Sequence, residues 1–154
     1  MKLLILCFFV FLDFLSKKLI FHFIELNKLI SIIYFIDITH IRNYGISFGL
    51  FAGVLSSRFI ILSGIVMIFI LMFLMSKVTN KLEKWGIFFI ITGAISNIAD
   101  RFINNYVLDF IVLHYKDYYW PAFNFADIYI SAGVLIIIIE NYKVLKTKLK
   151  YKND

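Results

Sequence analysis

The stretch "PAFNFADIYISAGVLIIIIENYK", residues 121–143, decides the fold. From Ile128 to Ile139 it carries no charge, and with its flanks it is long enough to cross a bilayer as a helix. Pro121 stops any preceding helix and helps to start this one. Asn124 then suits an N-cap, with Asp127 at the third helical position, where a carboxylate satisfies free N–H groups and complements the helix dipole. A carboxylate at the lip of hydrocarbon is also costly enough to suggest function. Capping and function both remain open for Asp127 from this stretch alone.

The rest of the chain has the same solvent. Of its 154 residues, 62% are hydrophobic and only 17% charged, which excludes an ordinary soluble domain. Four apolar segments reach spanning length, at 3–21, 55–75, 85–104 and 125–142. One multi-pass domain over 1–154 follows. The start, "MKLLILCFFVFL", looks like a signal peptide but has no small-residue cleavage site, and Asp13 and Lys17 interrupt it; an uncleaved first helix is expected. Cys7 reads as a buried filler, and no Cys/His spacing suggests a metal site or a cofactor.

Charge follows hydropathy. Lys2, Lys77, Lys81, Lys84, Lys143, Lys146, Lys148, Lys150 and Lys152, 9 of the 16 basic residues, fall at one set of segment ends. The positive-inside rule puts that side, with both termini, in the cytoplasm. The basic tail then reads as a topology signal and an anchor for anionic lipid, not as a nucleic-acid site.

On the outer side, residues 28–52 are rich in β-branched and aromatic types. Ile36 to Asn43 partly alternate, "NYG" offers a turn, and Ile46, Phe48 and Leu50 alternate again. This predicts a small sheet on the membrane surface. Residues 105–124 read as a second outer loop, with Tyr118, Tyr119 and Trp120 at headgroup level.

The polar residues stand out against this background. Asp13 lies four before Lys17, which allows an ion pair on one helix face. In "GAISNIADRF", 93–102, Gly93 and Ala94 permit close helix approach, Asn97 can bond across helices, and Asp100 and Arg101 follow. Asp109, in "YVLDFIVLHY", lies on a segment that leaves and re-enters one membrane face, so it can fold back over Asp127. Two carboxylates meeting there would share a proton, one accepting from water and the other donating to a carbonyl under attack. The helix N-terminus favours ionised Asp127, leaving Asp109 to hold the proton. Ser16 and Lys17 are neighbours with diverging side chains, unlike a serine–lysine dyad, and His22, His40 and His114 read as core or interface residues. A proton- or ion-coupled transporter with an Asp13, Asp100, Asp127 relay also accommodates membrane acids, but it requires neither Asp109 nor the "NYG" segment.

Taken in order, "DFLSK" (13–17), "NYGISFG" (43–49), "GAISNIADR" (93–101), "VLDF" (107–110) and "PAFNFADIYI" (121–130) resemble the bacterial lipoprotein signal peptidases. The resemblance implies four transmembrane helices, an extracytoplasmic β-cradle and a short outer helix. It implies an intramembrane aspartyl endopeptidase that cuts prolipoproteins before a diacylglyceryl-modified cysteine, in the bacterial cytoplasmic membrane and near its outer face. Carried over, Asp109 and Asp127 are the catalytic pair. Asn43 and Gly45 line the substrate groove, Asn97 and Arg101 hold peptide carbonyls, Asn124 orients the pair, and Asp13 and Asp100 support it. Membrane lipids are implied as surroundings, globomycin as an inhibitor in the groove, and a monomer as the working form. Ser96 and Ser47 depart from the family's usual Gly and Ala; both are small, and the expectation is tighter packing without lost activity.

Overall fold

The computed structural model describes residues 2–46 and 49–153. In chain order the elements are α1 (Lys2–Phe23), β1 (Leu29–Ile33), β2 (Ile36–Asn43), α2 (Ser57–Lys77), α3 (Lys81–Asn104), β3 (Val107–Tyr115), β4 (Tyr118–Tyr119) and α4 (Phe125–Asn153). The helices overlie the four apolar segments; α1, α3 and α4 extend beyond them, while α2 lies two residues later than its segment. The largest extension is at the end of α4, where Lys143 to Asn153 contain no Gly or Pro to stop it.

Local chemistry sets the helix ends. Ser56 caps α2 by accepting from Phe59 N–H at 3.3 Å. Asn80 caps α3, its Oδ1 accepting from Leu82 and Glu83 N–H at 2.8 and 3.2 Å. At the far end Asn105 adopts the left-handed conformation, φ 62°, and its N–H closes on the Arg101 carbonyl.

α3 is the central helix and packs against the other three. Small residues bring α4 onto it. A methyl on Gly93 would overlap the Ala126 carbonyl, and one on Gly86 would press against the Gly133 carbonyl. α2, α3 and α4 are long and apolar enough to cross a membrane. α1 has the length, but Asp13, Lys17 and Lys18 interrupt it, so three of the four expected apolar spans meet that description.

The sheet lies at the opposite end from the Asn80 turn. Its order is β1-β2-β3-β4, antiparallel throughout, with Ile41 opposite Asp109 and Asn43 opposite Val107. It rests on a small core in which Leu108 and Phe110 pack with Ile20 of α1 and Phe125 of α4.

Two expectations need correction here. The strand foreseen after "NYG" is not formed among the described residues; β2 pairs instead with β3, inside the segment read as an outer loop. Gly49, Phe51 and Gly53 have φ of 73°, 61° and 76°, which neither an extended strand nor a right-handed helix accepts. The described residues 50–54 form turns. Phe48 and Ser47 lie outside the described residues.

Candidate active site

β3 carries Asp109 into the interior, where it is 3% exposed. One carboxylate oxygen accepts from Asn43 Nδ2 at 2.9 Å, the other from Asn124 Nδ2 at 2.6 Å. Asn43 reaches it diagonally from β2, one step along the same face of the sheet. Asn124 reaches it because Phe123 bridges to Ile111, its N–H donating to the Ile111 carbonyl at 2.9 Å and its carbonyl accepting from Ile111 N–H at 2.8 Å. The residues leading into α4 are thereby laid alongside β3.

Asn124 also starts α4. Its Oδ1 accepts from Asp127 N–H at 3.0 Å, and its own N–H donates to Asp127 Oδ2 at 3.2 Å. This is the reciprocal capping arrangement, with aspartate in the position that glutamate often fills. Capping and site-building are therefore the same contact set. The remaining Asp127 oxygen accepts from Asn97 Nδ2 of α3 at 2.9 Å. Asn124 is fully buried and Asp127 only half-buried, so the pair opens toward one side.

Beneath the pair lies Lys17, 5% exposed in α1. Its Nζ is 2.8 Å from Asp13, 3.4 Å from Asp100 and 3.1 Å from Asn97 Oδ1. Both aspartates continue to the backbone. Asp13 accepts from Ala126 N–H at 3.0 Å, and Asp100 from Leu108 N–H at 2.9 Å. Ala126 immediately precedes Asp127, and Leu108 immediately precedes Asp109. One ammonium thus anchors two carboxylates, and each grips the chain next to one member of the pair. Such a cluster is tolerable inside protein because every charge has partners.

Arg101, 8% exposed, donates from Nη2 to the Gly45 carbonyl, while Gly45 N–H donates to Asn43 Oδ1 at 2.9 Å. A methyl on Gly45 would overlap the Leu50 carbonyl, so the tight loop requires glycine. The Arg101 guanidinium acts electrostatically on Asp109, Asp127 and Asp100. Its Nε is buried without a hydrogen-bond partner among the described residues.

Burial pushes the Asp109 carboxyl up to about 7, and the neighbouring charge of Asp127 adds to the effect. The donors Asn43 and Asn124 act in the opposite direction, followed by Lys17.

All nine residues singled out in the sequence belong to this connected set: Asp13, Asn43, Gly45, Asn97, Asp100, Arg101, Asp109, Asn124 and Asp127. Asp13 and Asp100 are bound to Lys17, not spaced as an open relay. Sequence reasoning missed two members. Lys17 was legible as the partner of Asp13, but its reach to Asp100 and Asn97 needs the helix packing. Ser96, read as a small packing residue, donates to Asp13 at 2.6 Å. The histidines lie elsewhere. His40 Nδ1 meets the Ile24 carbonyl at 2.9 Å, and His114 stacks on Tyr119. Cys7, expected to be a buried filler, is exposed along the apolar face of α1. It lines a groove of about 350 Å³ between α1 and α3 that reaches Asp13, Lys17, Ser96 and Asp100 but neither Asp109 nor Asp127.

Comparison with known proteins gives a consistent result. Residues 5–143 match the family model described as signal peptidase (SPase) II. Lipoprotein signal peptidase of Thermodesulfovibrio yellowstonii is 38% identical over 133 residues, covering 86% of this chain and 88% of that protein. That of Wigglesworthia glossinidia brevipalpis is 41% identical over 130 residues, covering 82% and 84%. A bacterial membrane enzyme solved by the in meso method at 2.3 Å superposes with a TM-score of 0.87 at 29% identity, covering 96% of this chain and 90% of the other.

Proposed function

We propose, from the premise that the chain belongs to the signal peptidase II family, that Asp109 and Asp127 are its catalytic pair. As a member of that family it is an aspartic endopeptidase of the bacterial membrane that removes signal peptides from prolipoproteins. The observation that carries the assignment is Asn124, one buried residue that donates to both carboxylates, from its side-chain amide to Asp109 and from its backbone N–H to Asp127.

In this reading ionised Asp127 takes a proton from a water as the water oxygen attacks the scissile carbonyl. Asp109, its carboxyl pushed up to about 7 so that it keeps its proton below that pH, gives the proton to the carbonyl oxygen. The tetrahedral intermediate then collapses, the C–N bond breaks, and the proton held by Asp127 passes to the leaving amine. Asp109 recovers its proton from the intermediate's hydroxyl, and the pair is reset. Arg101 Nε, buried and without a hydrogen-bond partner among the described residues, suits a substrate carbonyl. Asn43 and Gly45 would form the wall of the groove, with Asn97 both holding Asp127 and facing the substrate backbone.

The substrate proposed is a prolipoprotein carrying a diacylglyceryl cysteine, cut on the amino side of that cysteine. Its lipid keeps the scissile bond at the membrane surface, the level of the half-buried Asp127. α1 is the fourth span: Asp13 and Lys17 face the protein, so lipid meets its apolar sides. Lys2 lies over the Trp85 ring at 5.2 Å and Asn80 donates to Glu140 at 3.0 Å, which groups the basic helix ends on one side, the cytoplasmic one. The sheet and the pair belong to the outer side. One chain suffices as a monomer, because it supplies both aspartates and everything that holds them.

The test is processing of a diacylglyceryl-modified precursor by the purified enzyme in lipid, with globomycin as inhibitor control. Asp109→Asn and Asp127→Asn should each abolish cleavage. Turnover at the unaltered rate by either variant would overturn the assignment.

A further inference from the structure

Ser96 stands in α3 at 5% exposure, and its hydroxyl does something that those of Ser16, Ser63, Ser76 and Thr92 do not. Ser16, Ser63, Ser76 and Thr92 each donate to a carbonyl three or four residues back in their own helix, at 2.7, 2.9, 2.6 and 2.8 Å. That is the ordinary way for a hydroxyl to satisfy itself in a helix surrounded by apolar groups. Ser96 forgoes it and crosses to α1, donating to Asp13 Oδ2 at 2.6 Å.

Asp13 is fully buried, and a carboxylate removed from water needs its lone pairs filled. Lys17 and Ser96 both meet Oδ2, at 2.8 and 2.6 Å, and Ala126 N–H meets Oδ1 at 3.0 Å. Lys17 is a divided partner, shared with Asp100 and Asn97. Ser96 is an undivided one and comes from the central helix. With Oδ2 fixed from α3, the carboxylate plane is set so that Oδ1 points at the first turn of α4. There Asn124 caps Asp127 N–H, and Asp13 takes the N–H one residue earlier.

We propose that Ser96 is a positioning residue for proteolysis: by orienting Asp13 it fixes the first turn of α4 and so the place of Asp127. This inference rests on the reading of Asp127 as catalytic. Ser96 is neutral, so its removal leaves the charge balance of the cluster intact and changes geometry alone. The predicted signature is a loss in turnover without a loss in substrate binding.

The experiment measures kcat and KM for the lipid-modified precursor with Ser96→Ala, Ser96→Thr and Asp13→Asn, singly and as Ser96→Ala in the Asp13→Asn background. Ser96→Ala should lower kcat about tenfold, as displacement of a catalytic group by a fraction of an ångström does, with KM unchanged within about twofold. Ser96→Thr keeps the hydroxyl, has room for its methyl in the adjoining groove, and should recover most of the loss. In the Asp13→Asn background Ser96→Ala should cost nothing further, because both act through one contact. Should Ser96→Ala fail to accumulate folded, Ser96→Cys, of similar size and a weaker donor, should show the same kcat loss. Unchanged kcat in Ser96→Ala, or an undiminished loss beside Asp13→Asn, overturns the role of Ser96 while the catalytic pair stands. Full turnover by Asp127→Asn overturns the pair itself, and this role with it.

Discussion

Asn124 donates to Asp109 at 2.6 Å across a separation of fifteen residues, and the same side chain begins the helix that carries Asp127. Asn124→Ala should therefore damage both jobs at once. Turnover should fall about a hundredfold, because the pair loses its spacing. Stability should fall by about 1 kcal/mol, the usual cost of a lost N-cap. Asn124→Asp keeps a good cap but faces Asp109 with a third carboxylate, so it should retain thermal stability far better than activity. Parallel recovery of both properties in that variant would contradict the dual role.

The pH dependence follows from Asp109. Its carboxyl is pushed up to about 7 by burial and by the charge of Asp127, so it keeps its proton below that value and loses it above. If it is the acid, kcat/KM should decline on the alkaline side of about pH 7, by about tenfold per pH unit. Asn43 stabilises the ionised form, and Asn43→Ala should move this alkaline limb to higher pH. A limb that stays in place or moves down would count against Asp109 as proton holder.

The stability contribution of Asp109 should also fall with rising pH, but over a lower range than activity. With its native value raised, Asp109 binds its proton more tightly in the folded than in the unfolded chain. Its contribution to stability is greatest below the unfolded value near 4 and declines as pH rises to about 7. Asp109→Asn removes that dependence. The inactive variant should be more stable than the parent at about pH 8, by on the order of 2 kcal/mol, as read by thermal unfolding in detergent. A variant equally stable, or less stable, at that pH would show that the buried carboxylate carries no such cost.

Two glycines separate packing from positioning. Gly86→Ala and Gly93→Ala each place a methyl against a carbonyl of α4, and each should cost about 1–3 kcal/mol of stability. Gly93 faces Ala126, next to Asp127, whereas Gly86 faces Gly133, two turns further along. Only Gly93→Ala should also depress kcat. Equal effects on turnover would mean that displacement at the start of α4 is not transmitted to the pair.

The helices and the pair were legible because they rest on patterns local to the chain: spanning length, and carboxylates where hydrocarbon begins. The Asp13–Lys17 contact followed from four-residue spacing. What the sequence did not show is contact made by packing alone. Lys17 meets Asp100 and Asn97 only because α1 crosses α3 at that level. The partner of β2 was missed because Ile46, Phe48 and Leu50 alternate like a strand, whereas backbone conformations at Gly49, Phe51 and Gly53 forbid one. "VLDFIVLHY" is too uniformly apolar to announce itself as strand, since β3 is buried on both faces over Val107–Phe110. Ser96 carries no signal of its own, because a serine in a helix ordinarily turns back on itself.

The shared anchoring of both aspartates by Lys17 has a consequence for biosynthesis. Asp13 and Lys17 are translated early, but the amide that Asp13 grips belongs to Ala126, in the last helix to be made. A nascent chain halted before the start of α4 has neither Asp127 nor the Asn124 contact to Asp109, and holds that carboxylate by Asn43 alone. On the proposed reading of Asp127, proteolytic competence is acquired only at the final insertion step.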